Sequence, residues 1–186
     1  MKECMQTDKP LISVVMATYN PNMEWFAEQL KSINAQTYRS LELIVRDDCS
    51  TKIGFDVLKE TIARYITDIP FIVEQNDENV GSNKTFERLT QAANGEYISY
   101  CDQDDIWLPE KTGELYNLAQ KTGAVLVCSD VCVIDGNGKK VSDSITNVRK
   151  RHKFLSGKNL SESLIYKNFV IGCTSLVRAE IGRAHV

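Results

Sequence analysis

GEYISYCDQDDIWLPEK, residues 95–111, decides the fold. EYISYC (96–101) has the length and β-prone composition of a strand, and Asp102-Gln103-Asp104-Asp105 follows as a polar turn. Pro109 then stands where a first helical turn begins, a position at which the missing N–H costs nothing. The helix is expected to run to about Lys121, with Gly123 stopping it. Toward the N-terminus the same strand-to-helix unit recurs three times. LISVVMA (11–17) is nearly continuous and apolar, as in a strand covered on both faces of a parallel sheet. Within 23–36, Phe26, Leu30 and Ile33 recur at helical spacing, with Glu24, Glu28 and Lys31 on other faces. LELIV (41–45) is the second strand, and Phe55, Leu58, Ile62, Tyr65 and Ile66 mark a second helix. Pro70 precedes a third strand, FIVE (71–74). The polar loop QNDENVGSN leads to a third helix with Phe86, Leu89 and Ala93 on one face and Asn94-Gly95 as the expected C-cap pair. Toward the C-terminus, AVLVCSDVCVI (124–134) reads as a fifth strand that continues through the turn 135–138 into a hairpin with KKVSD. Residues 143–158 read as a basic, poorly patterned loop. The order predicts an α/β fold: an open, mostly parallel sheet with right-handed crossovers and helices on both faces.

A chain of 186 residues, 42% hydrophobic and 25% charged, suits one globular domain. Its net charge of −3 offers no global positive field, so no nucleic-acid partner is expected. No run approaches the roughly 20 apolar residues of a membrane span, and MKECMQTDKP is too polar for a signal peptide, which makes the expected location cytoplasmic. Cys4, Cys49, Cys101, Cys128, Cys132 and Cys173 form no CxxC pair and are read as reduced thiols. With His152 and His185 the only histidines, a Ser-His-Asp or Cys-His mechanism is not expected. The final IGRAHV (181–186) back-translates as ATC GGA AGA GCA CAC GTC, which resembles a sequencing adapter read in frame. A non-native tail over 180–186 is therefore expected, following a domain over 1–179 that is incomplete on its C-terminal side.

In open α/β sheets ligands bind beyond the carboxyl ends of the strands. Three strand ends here are unusually polar: Thr18-Tyr19-Asn20, Arg46-Asp47-Asp48-Cys49-Ser50 and Asp102-Gln103-Asp104-Asp105. Paired acids repel one another unless a cation neutralises them, although Asp47-Asp48 alone is equally well read as helix capping or an Asx turn. Neither GxGxxG after the first strand nor GxxxxGK[ST] anywhere supplies a glycine cradle for phosphates. A cation must then hold them, and magnesium or manganese prefers carboxylate oxygens. If strand alternation persists past the strand end, Asp102 and Asp104 face one side and Asp105 the other.

Together, ISVVMATYN, IVRDDCST, NVGSNKTF and GEYISYCDQDDIWLPEK resemble the nucleotide-sugar-binding half of family-2 glycosyltransferases, which have the GT-A fold, over residues 11–177. The CDQDDIW form is similar to bacterial rhamnosyltransferases and polysaccharide transferases. The resemblance implies sugar transfer, with inversion, from a UDP- or dTDP-linked donor to a saccharide or lipid-linked acceptor in cell-surface polysaccharide synthesis. Peripheral association with the inner face of the membrane would accompany it. DQD would be the family's DxD motif, with Asp104 on a manganese or magnesium ion, Asp102 at the ribose or on the same ion, and Gln103 among the residues that bind substrate. Tyr19 would lie against the base, Thr18 and Asn20 would shape its loop, and Asp48 would accept a hydrogen bond from the base with support from Asp47. Lys84 would reach the phosphates, or else is a solvated helix lysine. Trp107 and Pro109 are expected to pack the turn, and Gly172-Cys173-Thr174 to lie near sugar or acceptor. The family takes its catalytic base from an acidic motif further downstream, so no catalytic residue is assigned here; Asp130 is the other strand-end acid, with capping the favoured role. Two departures, Cys49 where the family often has glycine and Lys52 where it often has an acid, affect the loop after Asp48. The competing classes are a non-catalytic nucleotide-sugar binder and a magnesium-dependent phosphatase, whose DxD usually follows the first strand.

Overall fold

A computed structural model describes residues 9–183; Cys4, His185 and the end of the expected tail lie outside them. In chain order the elements are β1 (Ile12–Thr18), α1 (Met23–Asn34), β2 (Leu41–Asp47), α2 (Phe55–Tyr65), β3 (Phe71–Gln75), α3 (Ser82–Ala92), β4 (Tyr97–Cys101) and α4 (Lys111–Thr122). There follow β5 (Leu126–Cys128), β6 (Val133–Ile134), β7 (Lys140–Ser142), α5 (Ile145–Val148), α6 (Ser161–Tyr166), a 3-10 turn (Gly172–Thr174), β8 (Ser175–Arg178) and α7 (Ala179–Arg183). Six strands form one sheet in the order β3-β2-β1-β4-β8-β5, parallel through the first four, which is the expected α/β architecture.

Strand alternation divides the core. Ile12, Val14 and Met16 of β1 and Leu41, Leu43 and Val45 of β2 face one layer, where they meet Phe26, Leu30, Ile33, Leu58, Ile62 and Leu115. Val15, Ile44 and Ile98 face the other, against Leu89 and Ala93 near α3 and Ala179 of α7. Helix ends follow local chemistry. The Asn22 carboxamide accepts the Glu24 and Trp25 N–H groups at the start of α1, and Gly123 ends α4 at φ +67°. No helix among the described residues is long and apolar enough to cross a membrane.

Three local expectations are corrected and one strand is added. The fifth strand stops at Cys128 instead of running into the hairpin, and β6 and β7 pair only with each other. Asp130 accounts for the break: its carboxylate accepts the N–H of Val131 and of Ile145 and draws the chain off the sheet edge. The stretch FVIGCTSLV contains a strand, β8, which enters antiparallel between β4 and β5. The basic loop over 143–158 contains α5. Gly95 is no helix cap. Its N–H donates to Ser13 Oγ at 2.8 Å, and a Cβ there would stand 2.7 Å from Leu11 O and Ser13 N. The glycine lets the chain entering β4 cross β1 at backbone contact.

Candidate active site

β1 leads outward to β2 on one side, while its other neighbour is β4, so the crevice between the C-terminal ends of β1 and β4 is the topological switch point. A cleft of about 450 Å³ opens there, lined by Thr18, Tyr19, Asp48, Gly81, Asp102 and Asp104 among others. Gln103 joins its two walls: its Oε1 accepts the Tyr19 N–H at 2.9 Å and its Nε2 donates to Tyr19 O at 3.3 Å. Tyr19 is 45% exposed at the rim, where its ring can stack on a planar ligand.

The acidic pair after β2 divides by role. Asp47 is fully buried and accepts from Thr18 Oγ1, Gln75 Nε2 and both the N–H and hydroxyl of Ser50, so it ties together three strand ends. Asp48 reaches the cleft wall, but its carboxylate already receives the Val80 and Gly81 N–H groups at 2.9 Å and Asn76 Nδ2 at 2.8 Å. Burial alone would raise its pKa; the hydrogen bonds from Val80, Asn76, Thr85 and Gly81 outweigh burial and hold it below the usual carboxylate range. Asn20 sits at φ +45° behind the rim and accepts the Thr51 and Lys52 N–H groups. Lys84 is not on the cleft wall; its ammonium meets Glu87 at 2.7 Å one turn along α3.

Beyond β4 the alternation assumed for Asp102-Gln103-Asp104-Asp105 fails. The strand ends at Cys101 and the next residues turn, which brings Asp105 beside Asp102 instead of onto the opposite face. Among the described residues, Asp102, Asp105 and Cys173 are the one group of three potential ligands whose atoms lie within 4.8 Å of one another. Burial, then the charges of Asp105 and Asp104, push the Asp102 carboxyl up; the Cys173 thiol and Lys111 act the other way. Asp104 is likewise raised, by burial and then by Asp105. The carboxylates repel because nothing neutralises them fully. Hard oxygen ligands of this kind fit magnesium or manganese, whereas the Cys173 sulfur does not.

Sequence reasoning missed Lys111. Its Nζ lies 3.2 Å from the Trp107 ring centroid and donates to Cys173 O at 2.6 Å, so it locks the 3-10 turn to the acidic turn. Burial lowers its pKa to about 8, against the raising influence of Cys101, Cys173, Asp105 and Asp102. The only signal was its place in WLPEK, at the first residue of a helix following four polar residues and a proline. Trp107 is buried and Pro109 O accepts from Thr37, so both pack the turn as expected. Asp130, engaged by Val131 and Ile145, is a cap.

The glycosyl transferase family 2 model matches residues 13–183. The chain belongs to that family. Among its relatives, an uncharacterized glycosyltransferase of Methanocaldococcus jannaschii is 33% identical over 72% of this chain and 46% of its own length. The dTDP-rhamnosyl transferase RfbG of Shigella flexneri is 32% identical over 67% of this chain and 44% of its own. The chain spans about half the length of the curated relatives it matches. The fold recurs in Staphylococcus aureus TarS 1-349 in complex with UDP-GlcNAc, with a TM-score of 0.67 and 19% identity over 94% of this chain and 47% of that one. It recurs also in the Pyrobaculum calidifontis mannosyltransferase PcManGT in complex with GDP-Man and Mn2+, with a TM-score of 0.60 and 23% identity over 69% and 37%.

Proposed function

We propose that this family-2 chain is the donor-binding part of a glycosyltransferase. It would move a sugar, with inversion, from a UDP- or dTDP-linked donor to a saccharide or lipid-linked acceptor in cell-surface polysaccharide synthesis at the inner face of the membrane. The observation that carries the reading is the cleft itself: crowded aspartates, their carboxyls raised, at the β1/β4 switch point with no glycine cradle for phosphate. The names of RfbG, a dTDP-rhamnosyl transferase, and of TarS in its UDP and UDP-GlcNAc complexes support a nucleotide-sugar donor.

In this reading Tyr19 stacks on the base, and the Asp48 carboxylate orients the 80–81 backbone beside it. Asp102, Asp104 and Asp105 are the residues that would hold a divalent cation. When bound, the cation supplies positive charge against which the charge developing on the departing diphosphate is stabilised. Gln103 keeps the Tyr19 wall in register with the acids, and Lys111 fixes the 172–174 turn beside them. Loss of the acceptor proton requires a base, and none is assigned within 9–183; we place it in a downstream segment of a longer protein.

The test is calorimetric titration of UDP and dTDP with manganese and then with excess chelator. Affinity should fall with chelator, and Asp104→Asn should weaken binding only in manganese. Equal affinity in both conditions would remove the metal from the proposal.

A further inference from the structure

Between buried Ile145 and buried Phe169 the chain leaves the fold, and no residue from 146 to 168 is buried. That excursion carries Arg149, Lys150, Arg151, Lys153, Lys158 and Lys167 against a single acid, Glu162, a net +5 that leaves −8 on the rest of a chain of net charge −3. Large apolar side chains are interspersed with the cations. Ile165 is 82% and Tyr166 83% exposed on α6, a helix with no buried residue, and Val148 and Leu155 are about half exposed. A merely solvated loop gains nothing from baring an isoleucine and a tyrosine side by side, and the cations of this segment line neither the site cleft nor the groove beside α1.

From this juxtaposition we infer that residues 146–168 form a docking surface for an anionic lipid bilayer. The cations meet the headgroup charge, and Ile165 and Tyr166 enter the headgroup boundary, where tyrosine keeps its ring in apolar surroundings and its hydroxyl in water. Charge complementarity selects this occupant: the remainder of the molecule is negative and is repelled by the same surface, so attraction confined to the excursion also orients the protein. The docking deepens the reading of a lipid-linked acceptor, yet it is measured without sugar transfer, so either can fail alone.

The experiment is cosedimentation of the whole chain with vesicles of phosphatidylcholine alone and with 40% phosphatidylglycerol, in low salt and in 0.5 M salt. Binding is expected only to the anionic vesicles and is lost in high salt. The variant Arg149→Glu, Lys150→Glu, Arg151→Glu, Lys153→Glu should bind at least about 100-fold more weakly, from roughly fivefold per neutralised charge. Ile165→Ser with Tyr166→Ser should reduce binding about tenfold or more in low salt while leaving nucleotide affinity unchanged. Binding to anionic vesicles that ignores the charge reversal overturns the proposal. So does competition by millimolar inorganic phosphate at least about tenfold stronger than that of sodium chloride at equal ionic strength, which would indicate a phosphate site. A stable dimer that dissociates in the Ile165→Ser, Tyr166→Ser variant, with no vesicle binding, would assign the surface to a second copy instead.

Discussion

Burial holds the Lys111 ammonium at about 8, whereas an ordinary lysine titrates at 10.5. Between those values the unfolded chain keeps a proton that the folded chain has released, so stability rises with pH across the window, by at most about 1.4 kcal/mol per pH unit. Lys111→Met should lack that rise. The Cys101 and Cys173 thiols, raised above 9.0 chiefly by burial, act in the opposite direction, but nearly equally in both proteins. Urea unfolding under reductant at pH 7.5 and 9.5 isolates the lysine as the change in the difference between the two proteins; a constant difference would show that Lys111 is not perturbed. Beyond its place in WLPEK nothing in the sequence announced this residue, because its properties come from Trp107 and Cys173 folding over it. Cys49 was more legible. Its φ of +60° lies in the left-handed region, the conformation that glycine adopts without strain and that a cysteine holds only at a cost.

At the scale of elements, the Asp48 carboxylate secures the loop that starts α3. Asp48→Ala removes the acceptor of the Val80 and Gly81 N–H groups and of Asn76, and should lower affinity for UDP and for free uridine alike, by about 1 to 3 kcal/mol. Calorimetry on both ligands decides: a loss confined to UDP would place Asp48 with the phosphates, away from the base. Hydrogen exchange at Val80 and Gly81 should accelerate in the same variant. The first four strands were legible because each is an apolar run followed by a periodic helix. β8 was not, since four residues carry no periodicity and its antiparallel seat depends on partners 81 residues apart at Tyr97 and Arg178. Asp105 was misplaced for a related reason. The alternation rule holds only while the chain is a strand, and β4 ends one residue before the acids begin.

For the whole molecule, donor binding and transfer should separate. If the base belongs to a downstream segment, this chain binds the nucleotide sugar but transfers it about 10²- to 10⁴-fold more slowly than a longer version with the natural continuation. The assay uses the same donor and a lipid-linked acceptor. Comparable rates would return the base to residues 9–183, with Asp130 the first candidate despite its capping bonds. The architecture also bears on how the protein is made. β4 gains its second neighbour, and β5 its only one, from β8. At translation rates of about 5 to 20 residues per second, the chain from Cys101 to Arg178 takes roughly 4 to 15 s to synthesise. Throughout that interval the nascent sheet presents an apolar strand with one open side, the geometry that recruits a foreign strand. The charged excursion is synthesised in the same interval, so the emerging chain carries its most basic segment while its sheet is least protected.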